Sequence, residues 1–125
     1  MNIPENLKYT NDHEWIKVEG KIGVVGVTDY AQGELGDIIY IDIPELKEVS
    51  KGESFGTIEA VKTVADMFAP VSGKVIEFNT AVNDYPASVN QDPYGAGWIA
   101  KIELSNPKEL DELLDVAAYK TLVGA

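Results

Sequence analysis

Two segments of this chain occur twice, and this internal repeat is the strongest constraint on the fold. Residues 20–25 resemble residues 73–78, and residues 36–43 resemble residues 97–104. Each copy begins with glycine and continues with mostly β-branched or aromatic residues, which is typical of strands bounded by turns. The second copy has the longer internal connection, in the region 83–96. Two similar strand pairs around a central hairpin predict a sheet sandwich with internal near-twofold symmetry.

Runs of β-branched and aromatic residues between glycines indicate the individual strands. Within residues 38–43, a period of two places alternate side chains on opposite faces of the sheet. Ile38, Tyr40 and Asp42 would then share one face, and Ile39, Ile41 and Ile43 the other. The predicted strands cover residues 14–18, 21–27, 38–43, 54–59, 64–68, 73–78 and 97–104.

The helices are predicted to be short and peripheral. Thr28 is a good N-cap for a helical turn that stops at Gly33. Near the end of the chain, Asn106 and Glu109 have the spacing of a capping box. Asp115 is expected to cap a last helix. The chain is therefore expected to be mainly β, with a helical C-terminal part.

Composition restricts the class of function. The 125 residues are 45% hydrophobic and 25% charged, which suits one domain with a real core. A net charge of −11 without any arginine argues against nucleic-acid binding, because phosphates require a basic surface. Cysteine is absent, so disulfides and zinc–thiolate sites are excluded. Without a visible secretory signal or an apolar run of about 20 residues, we expect a cytoplasmic protein.

Lys62 lies between two predicted strands, away from every other lysine. A primary amine at the tip of a hairpin is what a modifying enzyme needs to attach a prosthetic arm. Glu59 and Asp66 flank this lysine and would favour its charged form, whereas a catalytic lysine needs a lowered pKa. The chain has one histidine, His13, and no glycine-rich phosphate loop. The residues alone therefore indicate a modified carrier lysine or an ordinary exposed lysine, and they argue against an enzyme.

The region around Lys62 resembles the lipoyl-lysine hairpin of the glycine cleavage system H-protein family. The hairpin match consists of Glu59-Ala60-Val61-Lys62, Asp66 and residues 69–75. The resemblance implies a barrel-sandwich hybrid of the biotinyl/lipoyl-carrier type, with short C-terminal helices and a single lipoyl-carrier domain over residues 1–125. Further segments that match the family are residues 7–10, 12–15, 26–32, 35–37, 89–98 and 107–122.

The resemblance also implies a carrier without catalytic activity of its own. A lipoate ligase, or a lipoyl or octanoyl transferase, would attach lipoate to Lys62 through an amide. A pyridoxal-phosphate glycine decarboxylase would load the arm with an aminomethyl group. An aminomethyltransferase would pass that carbon to tetrahydrofolate, and an FAD-dependent dihydrolipoyl dehydrogenase would reoxidise the dithiol.

The resemblance further assigns residues to a cleft that protects the loaded arm. Glu14 and Asp66 match acidic positions of that cleft and would pair with the protonated amine of the adduct. Asp12 is expected in the same cleft, at a position where the family often has a smaller polar residue, and Tyr30 stands where some members have histidine. We expect a monomer that binds neither nucleic acid nor membrane.

Other readings stay open on the sequence. A biotin carrier uses a similar hairpin, but methionine typically flanks its lysine, and here the neighbours are Val61 and Thr63. The lipoyl domain of a 2-oxoacid dehydrogenase is shorter and lacks the loop before Trp98. The nearest alternative is an H-like lipoyl protein of another pathway, such as lipoate relay or sulfur metabolism, which a reconstitution assay would distinguish. No metal site is expected, because His13 has no second histidine or cysteine to help it.

Overall fold

Two antiparallel sheets form most of the structure, a computed structural model that describes residues 1–125. The strands are β1 (Lys8–Tyr9), β2 (Glu14–Glu19), β3 (Ile22–Val27), β4 (Ile38–Asp42), β5 (Glu48–Val49), β6 (Ser54–Ala60), β7 (Val64–Phe68), β8 (Gly73–Phe78) and β9 (Ala100–Leu104). The larger sheet has the order β1-β2-β3-β9-β8-β5, and the smaller sheet has the order β4-β6-β7. The prediction of a mainly β chain is confirmed.

The repeated segments form strands in both copies. β3 and β8 lie on the two sides of β9 in the larger sheet, whereas β4 pairs with β6 in the smaller sheet. The two copies therefore differ in their strand partners. The longer connection of the second copy is not a plain loop, because it contains two short helices.

The predicted alternation along β4 is wrong. A β-bulge between Ile38 and Tyr40 inserts an extra residue, so that Ile38 and Ile41 are buried while Ile39 and Tyr40 are exposed. A bulge of this kind shifts every later side chain relative to a simple two-residue period. The strands β1 and β5 were not predicted, because two residues are too short to show any pattern.

The helices are α1 (Asp29–Leu35), α2 (Ala81–Asp84), α3 (Ala87–Gln91) and α4 (Val116–Val123), and Pro107–Glu112 forms a 3-10 helix. Thr28 caps α1 as predicted, since its Oγ1 accepts a hydrogen bond from the Ala31 N–H at 3.2 Å. The helix does not stop at Gly33 but runs to Leu35 and ends at Gly36, whose φ of 82° favours glycine.

The two helical segments near the C-terminal end of the chain differ in how their N-termini are capped. Asp115 caps α4 as predicted, and its Oδ1 accepts from the Ala118 N–H at 2.8 Å. Asn106 makes no side-chain cap, so the predicted capping box is wrong. The Glu109 carboxylate instead accepts from the N–H and hydroxyl of Ser72, at 2.7 and 2.8 Å.

Two hydrophobic clusters hold the elements together. The larger contains 20 buried residues and joins both sheets, with Ile16 and Ile102 from one and Ile41 and Ile58 from the other. The smaller contains five buried residues, namely Ile3, Leu7, Tyr9, Trp15 and Tyr119. Through Tyr119, helix α4 packs against the start of the larger sheet. No helix has the length and apolar character that crossing a membrane would need.

Candidate functional site

Lys62 lies at the tip of the hairpin that joins β6 and β7. The Ala60 N–H donates to the Thr63 carbonyl at 2.8 Å and closes the turn, and the Val61 N–H donates to the Asp37 carbonyl at 3.0 Å. These bonds fix the backbone on both sides of the lysine. The Lys62 side chain itself is exposed and takes part in no ion pair or side-chain hydrogen bond of the structure. Its amine is therefore accessible from the solvent.

The carboxylates that flank Lys62 in sequence do not pair with it. In the β6–β7 ladder Glu59 lies opposite Val64, and Thr57 lies opposite Asp66. Asp66 comes within 3.4 Å of the Ser54 hydroxyl, and neither acid forms an ion pair with the lysine. The expected electrostatic support of the Lys62 ammonium by close ion pairs is absent.

A cavity of about 360 Å³ lies along this hairpin, and we call it the arm cavity. It is lined by residues from three parts of the fold. The hairpin contributes Ile58, Ala65, Asp66 and Met67, the β1–β2 region contributes Asp12, His13 and Glu14, and β3 with α1 contributes Val27, Tyr30, Ala31, Glu34 and Leu35. The three acidic residues that the family resemblance assigned to a cleft, Asp12, Glu14 and Asp66, thus line one cavity. A further groove of about 340 Å³ beside β5 contains none of the predicted site residues.

Glu14 is the buried acid of the arm cavity, with 3% of the residue exposed. Its Oε2 accepts from the Phe68 N–H at 2.7 Å, and its Oε1 accepts from the Thr10 hydroxyl at 3.3 Å. Burial raises the pKa of Glu14 to about 8, against the opposing effect of the bond from Phe68. Most Glu14 side chains are therefore protonated and neutral at pH 7. Asp12 and Asp66, by contrast, are exposed.

His13 is a wall residue of the arm cavity that the sequence did not assign to the site. Its backbone has a φ of 65°, and its ring packs 4.6 Å from the Tyr30 ring. Burial lowers the pKa of His13, although the nearby carboxylates of Asp12 and Glu34 act in the opposite direction. The only sequence signal that could have indicated His13 was its position next to Glu14. Neither its left-handed backbone conformation nor the packing of its ring is visible in the sequence.

Comparison with known proteins agrees with this geometry. The sequence profile of the family described as Glycine cleavage H-protein matches residues 7–124. A protein of Symbiobacterium thermophilum named Glycine cleavage system H protein is 56% identical over 119 residues, covering 94% of this chain and 93% of that protein. A protein of the same name from Bacteroides fragilis is 54% identical over 126 residues, with both chains covered to 100%.

A solved structure gives the same result. The crystal structure of a glycine cleavage system H protein from Mycobacterium marinum has a TM-score of 0.90 with this chain at 41% sequence identity. The match covers 98% of this chain and 100% of the other. The predicted barrel-sandwich fold class is confirmed. The chain belongs to the glycine cleavage H-protein family.

Proposed function

We propose that this chain carries lipoate on Lys62 and shuttles the aminomethyl group of glycine between the enzymes of the glycine cleavage system. The observation that carries the proposal is a free lysine amine at a hairpin tip whose own strands form one wall of an acidic cavity. Family membership supports the same role.

The residues present fit an amide-linked arm. Lys62 has no protein partner to lose on acylation, and the wall of the arm cavity begins at Ala65 on the same hairpin. Asp66 is four residues from Lys62, a path of at most roughly 14 Å along an extended chain. An extended lysine with an octanoyl-length acyl group covers a similar distance. When bound, lipoate supplies a disulfide that takes up the aminomethyl group and is regenerated by oxidation.

Glu14 and Asp66 would hold the positive charge of the adduct. An ammonium group beside a buried carboxyl favours its ionised form, so a cationic adduct would draw Glu14 toward the carboxylate and release its proton. The apolar side chains around it, such as Leu35 and Met67, would limit the access of water. A buried ion pair with few water neighbours is a physical means of slowing hydrolysis of the adduct.

The partner enzymes are proposed to approach the hairpin tip. Val61 and Val64 flank the lysine and are 68% and 60% exposed, so apolar side chains surround the reacting amine. We assign this surface to glycine decarboxylase, aminomethyltransferase, dihydrolipoyl dehydrogenase and the lipoylating enzyme in turn. We further propose a cytoplasmic monomer whose residues 1–125 form one domain, without catalytic activity of its own. Glycine turnover by the purified chain alone would contradict the last point.

The test of the carrier role is a pair of lysine substitutions. Lys62→Arg keeps the positive charge but removes the amine that can be acylated, and Lys74→Arg changes another exposed lysine as the matched control. Both chains are produced in lipoylating cells, and intact mass and peptide mapping are recorded. We expect a lipoyl adduct in the wild type and in Lys74→Arg, and none in Lys62→Arg. Glycine oxidation with the purified partner enzymes should follow the adduct. Adduct formation in Lys62→Arg would refute the assignment.

A second test concerns the acidic walls of the arm cavity. The double variant Glu14→Gln and Asp66→Asn should be lipoylated normally but should lose the aminomethyl group faster than the wild type. Asp42→Asn removes an exposed carboxylate that does not line the cavity and serves as the control. The lifetime of the loaded arm is followed by mass spectrometry. Equal lifetimes in all three proteins would remove both acids from the role.

A further inference from the structure

His13 connects the arm cavity to the C-terminal helix. Its Nδ1 lies 2.9 Å from the Tyr119 hydroxyl oxygen, although no residue of α4 lines the cavity. The other ring nitrogen, Nε2, has no hydrogen-bond partner in the protein. Because the ring forms part of the cavity wall, Nε2 is the nitrogen left for a ligand there.

The contact of His13 with Tyr119 continues into a buried chain of hydroxyl groups. The Tyr119 hydroxyl lies 2.7 Å from the Thr28 hydroxyl, and the same Thr28 oxygen accepts from the Ala31 N–H. Tyr119 and Thr28 both have 0% of their surface exposed, so bulk solvent does not reach their hydroxyl groups. Each hydroxyl proton of this hydrogen-bonded series must therefore have an acceptor among Thr28, Tyr119 and His13.

Counting protons along this chain fixes the tautomer of the imidazole. Thr28 and Tyr119 each have one hydroxyl proton. If Thr28 donates to Tyr119, then Tyr119 donates to Nδ1 of His13, and every group is satisfied. If His13 donated from Nδ1 instead, Tyr119 would donate to Thr28 and the Thr28 proton would have no acceptor, which is unfavourable in a buried site. The neutral ring must then have its proton on Nε2.

We propose that His13 is a positioning residue of the arm cavity, whose Nε2–H donates a hydrogen bond to an acceptor atom of the lipoyl arm. The Thr28–Tyr119–His13 chain holds this tautomer, so helix α4 acts on the cavity through His13. The inference rests on one part of the proposed carrier function, namely that the lipoyl arm enters the arm cavity. An acylated lysine offers two kinds of acceptor, its amide carbonyl and the sulfur atoms of the lipoyl group.

The surroundings of the ring agree with a donor role. Thr28 N–H donates to the His13 carbonyl at 3.0 Å and holds the backbone, while the Tyr30 ring packs against the imidazole. The neighbouring Glu14 and Asp66 offer acceptors to a cationic amine, whereas a neutral imidazole protonated on Nε2 offers it none. The ring would therefore contact the acceptor part of the arm and leave the ammonium to the carboxyl groups.

The first experiment reads the tautomer in the full chain without lipoate. The sequence has one histidine, so the ¹⁵N spectrum of the imidazole belongs to His13 alone. We expect a protonated Nε2 and an unprotonated Nδ1 in the wild type. Tyr119→Phe keeps the stacking on Tyr9, whose ring is 4.5 Å away, but removes the donor, and should give a mixture of tautomers. Thr28→Ser keeps a hydroxyl and should give the wild-type spectrum. A proton on Nδ1 in the wild type would overturn the proposal.

The second experiment uses two substitutions of His13 in the lipoylated chain. Asparagine tolerates a positive φ and has an amide near the position of Nδ1, but no group at the position of Nε2. Glutamine reaches the Nε2 position with an N–H donor. His13→Asn should shorten the lifetime of the loaded arm by about five- to tenfold, as expected for one lost hydrogen bond, and His13→Gln should restore part of it. Equal lifetimes in the wild type and His13→Asn would overturn the role of the ring.

The third measurement identifies the acceptor and separates the two proposals. The Nε2 signal of the wild type is compared between unmodified, octanoylated and lipoylated chains. A shift in both acylated forms assigns the amide carbonyl, and a shift in the lipoylated form alone assigns sulfur. If Lys62 is lipoylated and the signal does not change, His13 is not a donor to the arm and the carrier function stands. Absence of lipoylation in competent cells would overturn both.

Discussion

Replacing Glu14 with glutamine should stabilise the protein in a manner that depends strongly on pH. The carboxyl group is 3% exposed and accepts from the Phe68 N–H and the Thr10 hydroxyl. A glutamine oxygen can accept the same bond from Phe68, but its NH₂ group cannot replace the acceptor of the Thr10 hydroxyl, whose oxygen already accepts from the N–H groups of Asp12 and residue 14. The substitution therefore keeps the volume and the bond from Phe68, loses the long bond from Thr10, and removes the possibility of a buried negative charge.

The magnitude follows from the two pKa values. Burial raises the pKa of Glu14 from 4.5 to about 8 in the folded protein, so between these values the folded state holds a proton that the unfolded state has released. Stability then falls by about 1.4 kcal/mol for each pH unit through that range. The loss amounts to about 1 kcal/mol at pH 5, about 3 kcal/mol at pH 7 and about 5 kcal/mol above pH 8. Glutamine does not titrate, so the Glu14→Gln variant does not lose this free energy of unfolding as the pH rises.

Urea unfolding of the wild type and Glu14→Gln at pH 5, 7 and 9 measures the difference directly. The gap between the two unfolding free energies should widen by several kcal/mol from pH 5 to pH 9. Asp42→Asn, an exposed acid, is the control and should follow the wild type within about 0.5 kcal/mol at each pH. A gap of constant size would show that Glu14 has an ordinary pKa in the folded state, and the account of its burial would be wrong.

Three further substitutions test the fold. Gly73→Ala would place a Cβ on the carbonyl oxygen of Glu103, so we expect a loss of more than about 3 kcal/mol in urea unfolding. Gly33→Ala meets nothing within 4 Å in helix α1 and should raise the thermal midpoint, by the equivalent of about 0.5–1 kcal/mol; a lower midpoint would contradict a helical Gly33. Asp115→Ala removes the cap on the Ala118 N–H and should cost about 1 kcal/mol, with a loss of helical circular dichroism. Unchanged stability would mean that α4 does not depend on this cap.

The fold was predictable where the sequence itself shows a period or a cap. The strand at residues 64–68 was predicted with the bounds that the structure has, and Thr28 and Asp115 act as the predicted caps. Features that depend on a distant partner were missed. Glu109 binds Ser72 rather than its own helix, and that choice is made by packing between segments 37 residues apart. The bulge in β4 likewise depends on its pairing with β6.

The candidate site was likewise predictable only where the sequence itself shows the feature. Lys62 was found because its isolation between two strands and its local motif are visible in the sequence. The positions of Glu14 and Asp66 followed from the family resemblance, but their difference in burial did not. That difference decides their chemistry, since Asp66 is exposed and Glu14 holds a proton at pH 7. A charge count from sequence assigns both residues the same negative charge.

The three consecutive residues Asp12, His13 and Glu14 show why such differences in burial cannot be predicted from the sequence. The left-handed φ of 65° at His13 turns the backbone sharply just before β2. As a result Asp12 stays exposed, the His13 ring meets Tyr119 across the fold, and Glu14 enters the core. The intrinsic preferences of the residues do not favour a positive φ at His13 over Asn11 or Asp12. The hydrogen bonds from Thr28 and to Tyr119 hold it, so the acidic wall of the arm cavity depends on contacts made from the N-cap of α1 and from the C-terminal helix.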